Sequence, residues 1–482
     1  MVKKNNLKDI LKYHNDQDYL LAKKKYLKFI KNNKKNSDAY HLLGMLFHSF
    51  EDNYLMAVAN LTQCIYYNPK NYEAYLNRGS IHLINGKIDE SIKDFTQAIQ
   101  LNNGYDLAYN NRGKAFADIG DFEKSISDFD RAINFNPNYA EAYLGRANAK
   151  KKTHDFDGAI NDYEIAIIKR KDFYEAIFDL SLLLLLLGNY KKGFSLFESR
   201  WNAKKLRFNI KNNTKKLWLG DEDLNGKRIL IHCEQGIGDT IQFSRYVKEF
   251  ENYDCEVFLE VQKSLVGFIS TINNKVKVFE TGFFEEEYDY HCPVMSLPLA
   301  FKTTVDNIPK KNQYLKTDPI KVDKWKEILG EKNKPRIGLA WFGNPNNNED
   351  RFRSTEVKKF AKSLDKKYEW VSLHKEYKNN EKDDLLNLGI RDFSDLQFDF
   401  TETAAQIENL DLVISVDTSI AHCAGAIGKK TFIILPHTPD WRWLLETSKT
   451  PWYPSVNLIR LKRKQDWQDI FSKLINEIHN FL

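Results

Sequence analysis

The sequence predicts two architectures in one chain: an all-helical repeat array, followed by an α/β region built from two halves. In the first 200 residues, a Tyr-x-x-Arg-Gly or Tyr-x-x-Arg-Ala segment recurs every 34 residues, as in stacked helix pairs. From about residue 227, short β-branched runs alternate with helical segments, a pattern typical of parallel sheets. A chain of 482 residues also exceeds the length of a single hydrophobic core.

The repeats begin their clearest units at Tyr75, Tyr109 and Tyr143. Each unit carries two amphipathic segments around a short polar turn. Because one helix pair cannot bury its apolar face alone, the units must stack into a solenoid. We predict roughly five units over residues 1–201. The spacing resembles the tetratricopeptide repeat, which implies a groove that holds a protein partner.

Two asparagines, Asn77 and Asn111, stand two residues before the glycines of their repeats. In the tetratricopeptide arm of O-linked N-acetylglucosamine transferases, an asparagine at this place grips a peptide backbone. The resemblance therefore implies a peptide-binding groove. The row is incomplete, since Leu42 and Gly145 hold the equivalent places. The alternative is that these asparagines are solvated or bond to neighbouring helices.

Charge and cysteine usage restrict the class of protein. The net charge is +6, but residues 1–36 carry +8 and the rest sums to −2. This predicts a solvated basic cap, or at most a peripheral membrane contact, rather than a nucleic-acid face. The five scattered cysteines fit no zinc or disulfide framework. The first residues lack the apolar core of a signal peptide, so we expect a soluble, cytoplasmic protein.

A polar linker, residues 202–226, is predicted before the first α/β half, residues 227–330. There a strand, Arg228–His232, runs into a glycine turn and a helix. The turn lets a backbone approach a ligand closely, but it is neither a Walker loop nor a dinucleotide fingerprint. Asp239 stands where a carboxylate could take a proton from an attacking hydroxyl, or simply cap its helix. The acceptor-side candidates are Glu234, Gln235, Gly236, Gly238 and His291, the last of which could equally be a packed core histidine.

The second half, residues 331–482, presents polar groups after its strands. The strand Arg336–Trp341 precedes Asn344 and a loop with Arg353 and Ser354, a setting that suits a phosphate. His374 stands at the tip of the next strand. The alternative for this loop is a solvated segment.

A strand–helix–strand unit follows. Leu412–Val416 reads as a buried strand, and Thr431–Leu435 as the next one. Between them, Asp417, Thr418 and Ser419 open a short helix, a natural seat for a diphosphate. His422 lies one turn in. The simpler interpretation is that Asp417 and Thr418 only cap this helix.

Together these turns resemble a two-Rossmann glycosyltransferase of the GT-B fold. The second half is similar to family 9, the heptosyltransferases. The residues that carry the likeness are Gly238-Asp239, Arg353-Ser354, Asp417-Thr418-Ser419, His422 and Gly425. The whole chain resembles bacterial proteins in which tetratricopeptide repeats precede such a domain.

The resemblance implies a role for each matched residue. Asp239 would be the general base of an inverting displacement, and Arg353 would meet the donor phosphate. Asp417, Thr418 and His422 would form the donor-binding turn. The family usually has glycine where Ser419 stands, which puts the donor identity in doubt. It needs no metal and no cofactor besides the nucleotide-sugar co-substrate.

We therefore expect a hexosyl- or heptosyltransferase-like enzyme. It would move a sugar from a nucleotide-diphosphate sugar to a hydroxyl of a protein, or of a cell-envelope glycan or lipid, and the repeats would select the acceptor or a partner. One alternative is a non-catalytic repeat scaffold with a degenerate transferase domain. Another is a nucleotide-dependent oxidoreductase or epimerase, against which the absent third glycine counts. Sugar, base and acceptor stay open.

Overall fold

A computed structural model describes residues 7–203, 215–273, 275–309, 312–344, 350–377, 381–462 and 467–479. Most of the predicted linker's first half and residues 345–349 of the polar loop lie outside these ranges. The chain divides into two compact units, Met1–Ala176 and Ile177–Leu482. The division lies inside the predicted repeat array rather than after it.

Twelve helices precede the first strand in the described part of the chain. Their bounds are α1 Leu7–Asn15, α2 Tyr19–Asn32, α3 Ser37–Ser49, α4 Tyr54–Tyr67, α5 Tyr72–Ile84, α6 Ile88–Leu101, α7 Asp106–Asp118, α8 Phe122–Phe135, α9 Ala140–Lys152, α10 Phe156–Lys169, α11 Tyr174–Leu186 and α12 Tyr190–Phe197. The basic N-terminal segment is itself a helix pair, so six pairs stand where roughly five units and a cap were predicted.

The glycines of the repeat signature make close helix packing possible. A Cβ atom on Gly79 would lie 2.8 Å from the Phe95 ring, and one on Gly113 would lie 3.1 Å from the Phe129 ring. Both aromatic rings are fully buried. The two pairs are one 34-residue step apart, so the same packing recurs in consecutive units.

An arginine in each of three repeats forms a recurring ion pair, which we call the arginine ladder. Each arginine donates two hydrogen bonds to an aspartate 16 residues later and also reaches the second helix of the preceding repeat. The aspartate pairs are Arg78–Asp94, Arg112–Asp128 and Arg146–Asp162, and the preceding-repeat partners are Thr62, Thr96 and Asp130. The ladder therefore ties neighbouring units together.

Two sheets form the centre of the second unit. The first contains β1 Lys216–Leu217, β2 Lys227–His232, β3 Cys255–Val261, β4 Lys277–Glu280 and β5 Tyr290–Pro293, in the order β1-β5-β2-β3-β4. The second contains β6 Arg336–Ala340, β7 Glu369–Ser372, β8 Ile390–Arg391, β9 Leu412–Val416, β10 Thr431–Leu435 and β11 Val456–Arg460, in the order β11-β10-β9-β6-β7-β8. The strand pairs within both sheets are parallel.

Helices connect and cover these strands. They are α13 Ile237–Phe243, α14 Val266–Ile269, α15 Leu297–Ala300, α16 Pro319–Leu329, α17 Asp350–Arg353, α18 Glu381–Leu388, α19 Phe400–Glu408, α20 Ser419–Ala426 and α21 Trp467–His479. In the described ranges, no helix combines the length and apolarity that a membrane crossing needs.

The strand order places a crevice in each sheet. The chain winds outward from β2 in one direction through β3 and β4, and returns to the other side with β5; β6 and β9 are related in the same way. In open parallel sheets, ligands bind outside the carboxyl ends of the strands at this reversal. The turns after β2, β6 and β9 carry the residues predicted for the site.

Helix packing assigns the later segments to the second sheet. The Trp325 indole of α16 donates to Glu402 of α19 at 2.8 Å, so this helix packs on the second sheet although it precedes the predicted boundary at residue 331. The terminal helix α21 also packs there, with the Phe471 ring 4.2 Å from Phe360.

Candidate functional site

A cavity of about 890 Å³ lies between the carboxyl ends of the two sheets. Turns from both sheets line it. The predicted residues found in its wall are Gln235, Gly236, Gly238 and Asp239 from the first sheet, and Asn344, Arg353, His374, Asp417, Thr418, Ser419 and His422 from the second. One volume thus collects residues from four separate predicted turns.

Asp239 both caps its helix and faces this cavity. It is the third residue of α13, and its Oδ2 accepts the backbone N–H of Gly236 at 2.9 Å. Its Oδ1 accepts a hydrogen bond from Arg442. An ionised carboxylate offers about four acceptor positions, so two donors do not exhaust it. Burial raises the pKa of this carboxyl, although Arg442 and the Gly236 amide oppose the rise.

Arg442 is a site residue that sequence reasoning did not assign. It lies in the 3₁₀ turn Trp441–Trp443 after β10, nearly buried, and joins Asp239 to Asp440, whose Oδ1 is 2.8 Å from Nη1. Asp440 also lines the cavity and was also missed. The available signal was an arginine between two tryptophans in the segment that follows a buried strand. Nothing in the sequence showed that this turn would meet Asp239.

The opposite wall holds a cation between two carboxylates. Arg353 Nε lies 3.3 Å from Asp350 Oδ1, and Arg353 Nη1 lies 3.8 Å from Asp417 Oδ2. Gly343 makes room for this guanidinium, since a Cβ there would lie 2.8 Å from Arg353 Nη2. Burial, and then the charge of Asp440, raise the pKa of Asp417 to about 6.

The first turn of α20 meets the cavity without a side-chain cap. Thr418 is the N-cap residue, yet no side-chain hydrogen bond caps this described helix; the Thr418 hydroxyl lies 3.2 Å from that of Ser415 instead. Neither Thr418 nor Asp417 therefore makes the cap that the simpler interpretation required. The first amides of a helix left in this state attract anions.

His422 is held as a neutral ring beneath this turn. Its Nδ1 lies 2.8 Å from the Tyr453 hydroxyl, and its ring stacks 5.4 Å from Trp443. Burial, aided by Arg442, lowers the pKa of His422 well below its ordinary value. Gly238 of α13 packs directly on it, since a Cβ there would lie 2.7 Å from His422 Cδ2.

Four predicted residues lie outside the cavity wall. Glu234 is buried in an ion pair with Arg200. His291 stacks on His232 at 5.4 Å, which is the packed-histidine alternative. These two contacts hold the side chains of Glu234 and His291 outside the cavity wall. Ser354 instead braces its loop, accepting from Gly343 N–H and donating to Asp350, and Gly425 packs on the Tyr453 ring.

His374 lines the cavity, and its contacts hold the end of the neighbouring strand in place. Its Nε2 accepts the Trp341 backbone N–H at 3.0 Å, and its ring stacks on Phe342 at 3.8 Å with an interplanar angle of 6°. The stacked ring pair forms a flat aromatic wall beside Asn344.

The groove asparagines bond to neighbouring helices. Asn77 Nδ2 lies 2.7 Å from His41 Nε2 on α3, and Asn111 Nδ2 donates to the Ser80 hydroxyl on α5 at 3.2 Å. Each asparagine thus links its helix to the first helix of the preceding repeat. These contacts match the alternative that the asparagines bond to neighbouring helices.

Among the described residues, no group of three or more His, Cys, Asp and Glu side chains is placed to hold a metal ion.

Comparison with known families confirms the repeats. Tetratricopeptide-repeat models match residues 37–71, 79–120, 113–153 and 144–200. The chain therefore contains tetratricopeptide repeats, followed by an α/β region with parallel sheets.

Among curated proteins, the chain is 26% identical over 333 residues to Protein FlbA of Caulobacter vibrioides, covering 63% of this chain and 55% of the relative. The chain thus spans about half the length of the curated relative it matches. Among solved structures, the crystal structure of MamA is 23% identical and covers 36% of this chain and 96% of its own, with a TM-score of 0.32. The crystal structure of YrrB, a tetratricopeptide-repeat protein with an unusual peptide-binding site, is 16% identical and covers 38% of this chain and 92% of its own, with a TM-score of 0.31.

Proposed function

We propose that the second unit is an inverting, metal-independent glycosyltransferase of the two-Rossmann GT-B type. It would transfer a sugar from a nucleotide-diphosphate sugar to a hydroxyl of a protein or cell-envelope glycan, and the repeat arm would select the acceptor or a partner. The observation that supports it best is one cavity with a carboxylate on the first-sheet wall and an anion-binding turn on the second-sheet wall. Its volume is in the range of ordinary small-ligand sites.

The second-sheet wall suits a diphosphate leaving group. Charge develops on the leaving diphosphate as the glycosidic bond breaks, and preorganised donors there lower the barrier. The uncapped amides at the start of α20 and the Arg353 guanidinium are such donors. Arg353 is now shared between Asp350 and Asp417, so a diphosphate would give it a more highly charged partner.

The first-sheet wall suits a general base. Asp239 is nearly enclosed, and the burial that raises its pKa makes it a better proton acceptor than an exposed aspartate. Arg442 holds one oxygen, and the Gly236 amide holds the other. The carboxylate is therefore fixed in orientation while keeping free lone pairs for an acceptor hydroxyl.

Donor binding is the first test. ADP-, UDP-, GDP- and CDP-linked sugars are added separately, without metal, and the thermal unfolding midpoint is recorded. A donor at 100 times its dissociation constant should stabilise the fold by about 2.7 kcal/mol. Arg353→Met should lose this shift, whereas Arg131→Met on the repeat helix α8 should keep it. If no donor raises the midpoint, the transferase proposal fails and the scaffold alternative gains weight.

A further inference from the structure

The last repeat segment belongs structurally to the α/β unit. The tetratricopeptide match extends to residue 200, but the second compact unit begins at Ile177. We call residues 190–201 the terminal repeat segment; it holds α12 and the 3₁₀ turn Glu198–Trp201. Its side chains contact residues that lie close to Asp239 and Arg442 in the sequence.

The first contact is a buried ion pair at Arg200. This side chain is fully buried and donates to both carboxylate oxygens of Glu234, at 2.8 and 3.0 Å. Its Nη1 donates to Glu198 at 2.6 Å, and its Nη2, besides meeting Glu234, donates to the Ser296 hydroxyl at 2.7 Å. Glu234 also accepts the Met295 amide at 3.1 Å. A bidentate pair of this kind fixes a carboxylate in position as well as neutralising it.

Glu234 lies in the turn that orients Asp239. Two residues after it, the Gly236 amide donates to Asp239 Oδ2. A fully buried carboxylate that loses its arginine is left as an uncompensated charge and must move toward water or take up a proton. Movement of Glu234 toward water would shift the turn, so Asp239 would lose a hydrogen bond that favours its ionised form.

The second contact is an aromatic cluster at Trp441. The rings of Phe194 and Tyr190 on α12 meet the Trp441 indole edge-on, with centroids 5.6 and 6.2 Å away. Tyr190 also stacks on Trp452 at 6.1 Å. Trp441 directly precedes Arg442, the residue that holds the other oxygen of Asp239. The terminal repeat segment therefore supports both sides of the pair.

We propose that Arg200 is a positioning residue for the transfer reaction, acting through Glu234 on the Gly236–Asp239 turn. The terminal repeat segment is then part of the reaction site's framework rather than of the partner-binding arm. The role assigned to Asp239 rests on the function proposed above. The positioning itself can be measured without any substrate.

The kinetic test compares full-length Arg200→Met with the parent protein. We expect kcat to fall at least tenfold, with the donor KM changed less than twofold, because the donor contacts lie on the second sheet. The acidic limb of the kcat/KM profile should move to higher pH, because the ionised Asp239 has lost a donor. Arg200→Lys, which keeps the charge but loses the bidentate geometry, should be intermediate and covers the case in which Arg200→Met folds poorly.

The matched control is Arg336→Met. It breaks another arginine–glutamate pair of the second unit, between the buried Arg336 and the half-buried Glu369 at 2.7 Å, at the amino end of β6. It should lower the thermal midpoint without moving the pH profile. If the Arg200 variants fold and show unchanged kcat and pH profile, the proposal is overturned.

Hydrogen exchange separates this proposal from the proposed function. Peptides covering residues 233–243 should exchange faster in Arg200→Lys than in the parent, and should be unaltered in Arg336→Met. Unchanged exchange in that segment would refute the positioning role. If the parent protein transfers no sugar from any donor while this segment still loosens, the proposed function fails and the framework role stands.

Discussion

The two compact units use the same buried pair, an arginine and a carboxylate, in opposite ways. In the repeats, Arg112 pairs with Asp128 16 residues away, and the arrangement recurs one step earlier and one step later. In the α/β unit, Arg442 pairs with Asp239 across 203 residues, and the pair occurs once, at a cavity. The repeated pair holds neighbouring helices together, whereas the single pair orients one carboxylate.

Chemical type alone therefore does not distinguish structural from functional ion pairs. In the ladder, both partners are absent together from the following unit, where Leu180 and Leu196 occupy the equivalent places. An apolar pair can therefore replace the ladder pair within this same chain. No such internal equivalent exists for Asp239.

The largest effect should come from Asp239→Asn. An amide cannot act as a general base, so kcat for sugar transfer should fall by about 10²- to 10⁴-fold. Donor binding, followed by the thermal shift, should persist because Arg353 and α20 are untouched. The same chemical change in the ladder, Asp128→Asn, should leave kcat unaltered. Full turnover in Asp239→Asn would remove the base assignment.

The next effect is on the stability of the repeats. Asp128→Leu leaves Arg112 as an unpaired, largely buried cation and should cost about 3 kcal/mol. The double change Arg112→Leu with Asp128→Leu copies the unit that carries Leu180 and Leu196 and should cost much less, since well-packed apolar residues can replace a buried pair. Chemical denaturation followed by far-UV circular dichroism measures both. An equal loss of unfolding free energy in the single and double variants would show that an apolar pair cannot replace the ion pair.

One glycine in each unit shows how the surroundings set the cost of an added methyl group. Gly238→Ala should cost about 1–3 kcal/mol, because the new methyl group would press on His422. Gly86→Ala, at a repeat turn with φ of +71° and open space around it, should cost only about 1 kcal/mol, from backbone conformation. Thermal midpoints and donor shifts report both. Only Gly238→Ala should weaken donor binding. Equal donor binding in the two variants would show that the α13–α20 contact has no effect on the donor site.

The smallest effect is a pH dependence of donor affinity. The pKa of Asp417 is raised to about 6, so this carboxyl is protonated below pH 6 and ionised above it. The ionised form repels a diphosphate, so affinity for a nucleotide sugar should fall about fivefold as pH rises through 6, equivalent to about 1 kcal/mol. Titration calorimetry from pH 5 to 8 measures this. Asp417→Asn should flatten the curve; a persistent slope would assign it to another group.

Local signals made most elements predictable. The predicted strands Leu412–Val416 and Thr431–Leu435 coincide with β9 and β10, because continuous β-branched runs bounded by polar turns have few other solutions. The short polar turn predicted inside each repeat lies at residues 85–87 between α5 and α6, where an asparagine and a glycine interrupt the helical pattern. The two sheets then bring the predicted turns after β2, β6 and β9 to one cavity.

Side-chain partners across long separations were not predictable. Glu234 carries the same sequence signal as the residues beside it, yet Arg200 removes it from the cavity. Arg442 enters the site because the turn after β10 packs against α13, which no local pattern encodes. For Asn77, the pattern could not show that His41 of the preceding repeat would lie within reach.

The arginine ladder also bears on how such a chain can change in length. Each arginine needs an aspartate 16 residues ahead and a hydroxyl or carboxylate 16 residues behind, and both lie within one 34-residue step. Excision of residues 105–138 would bring Arg146 to Thr96 while it kept Asp162, so every rung would still be filled. Excision of one residue more or fewer would break the rung. Recombination between repeats can therefore lengthen or shorten the repeat array in whole 34-residue steps. The length of the array can thus vary while the α/β unit stays unaltered.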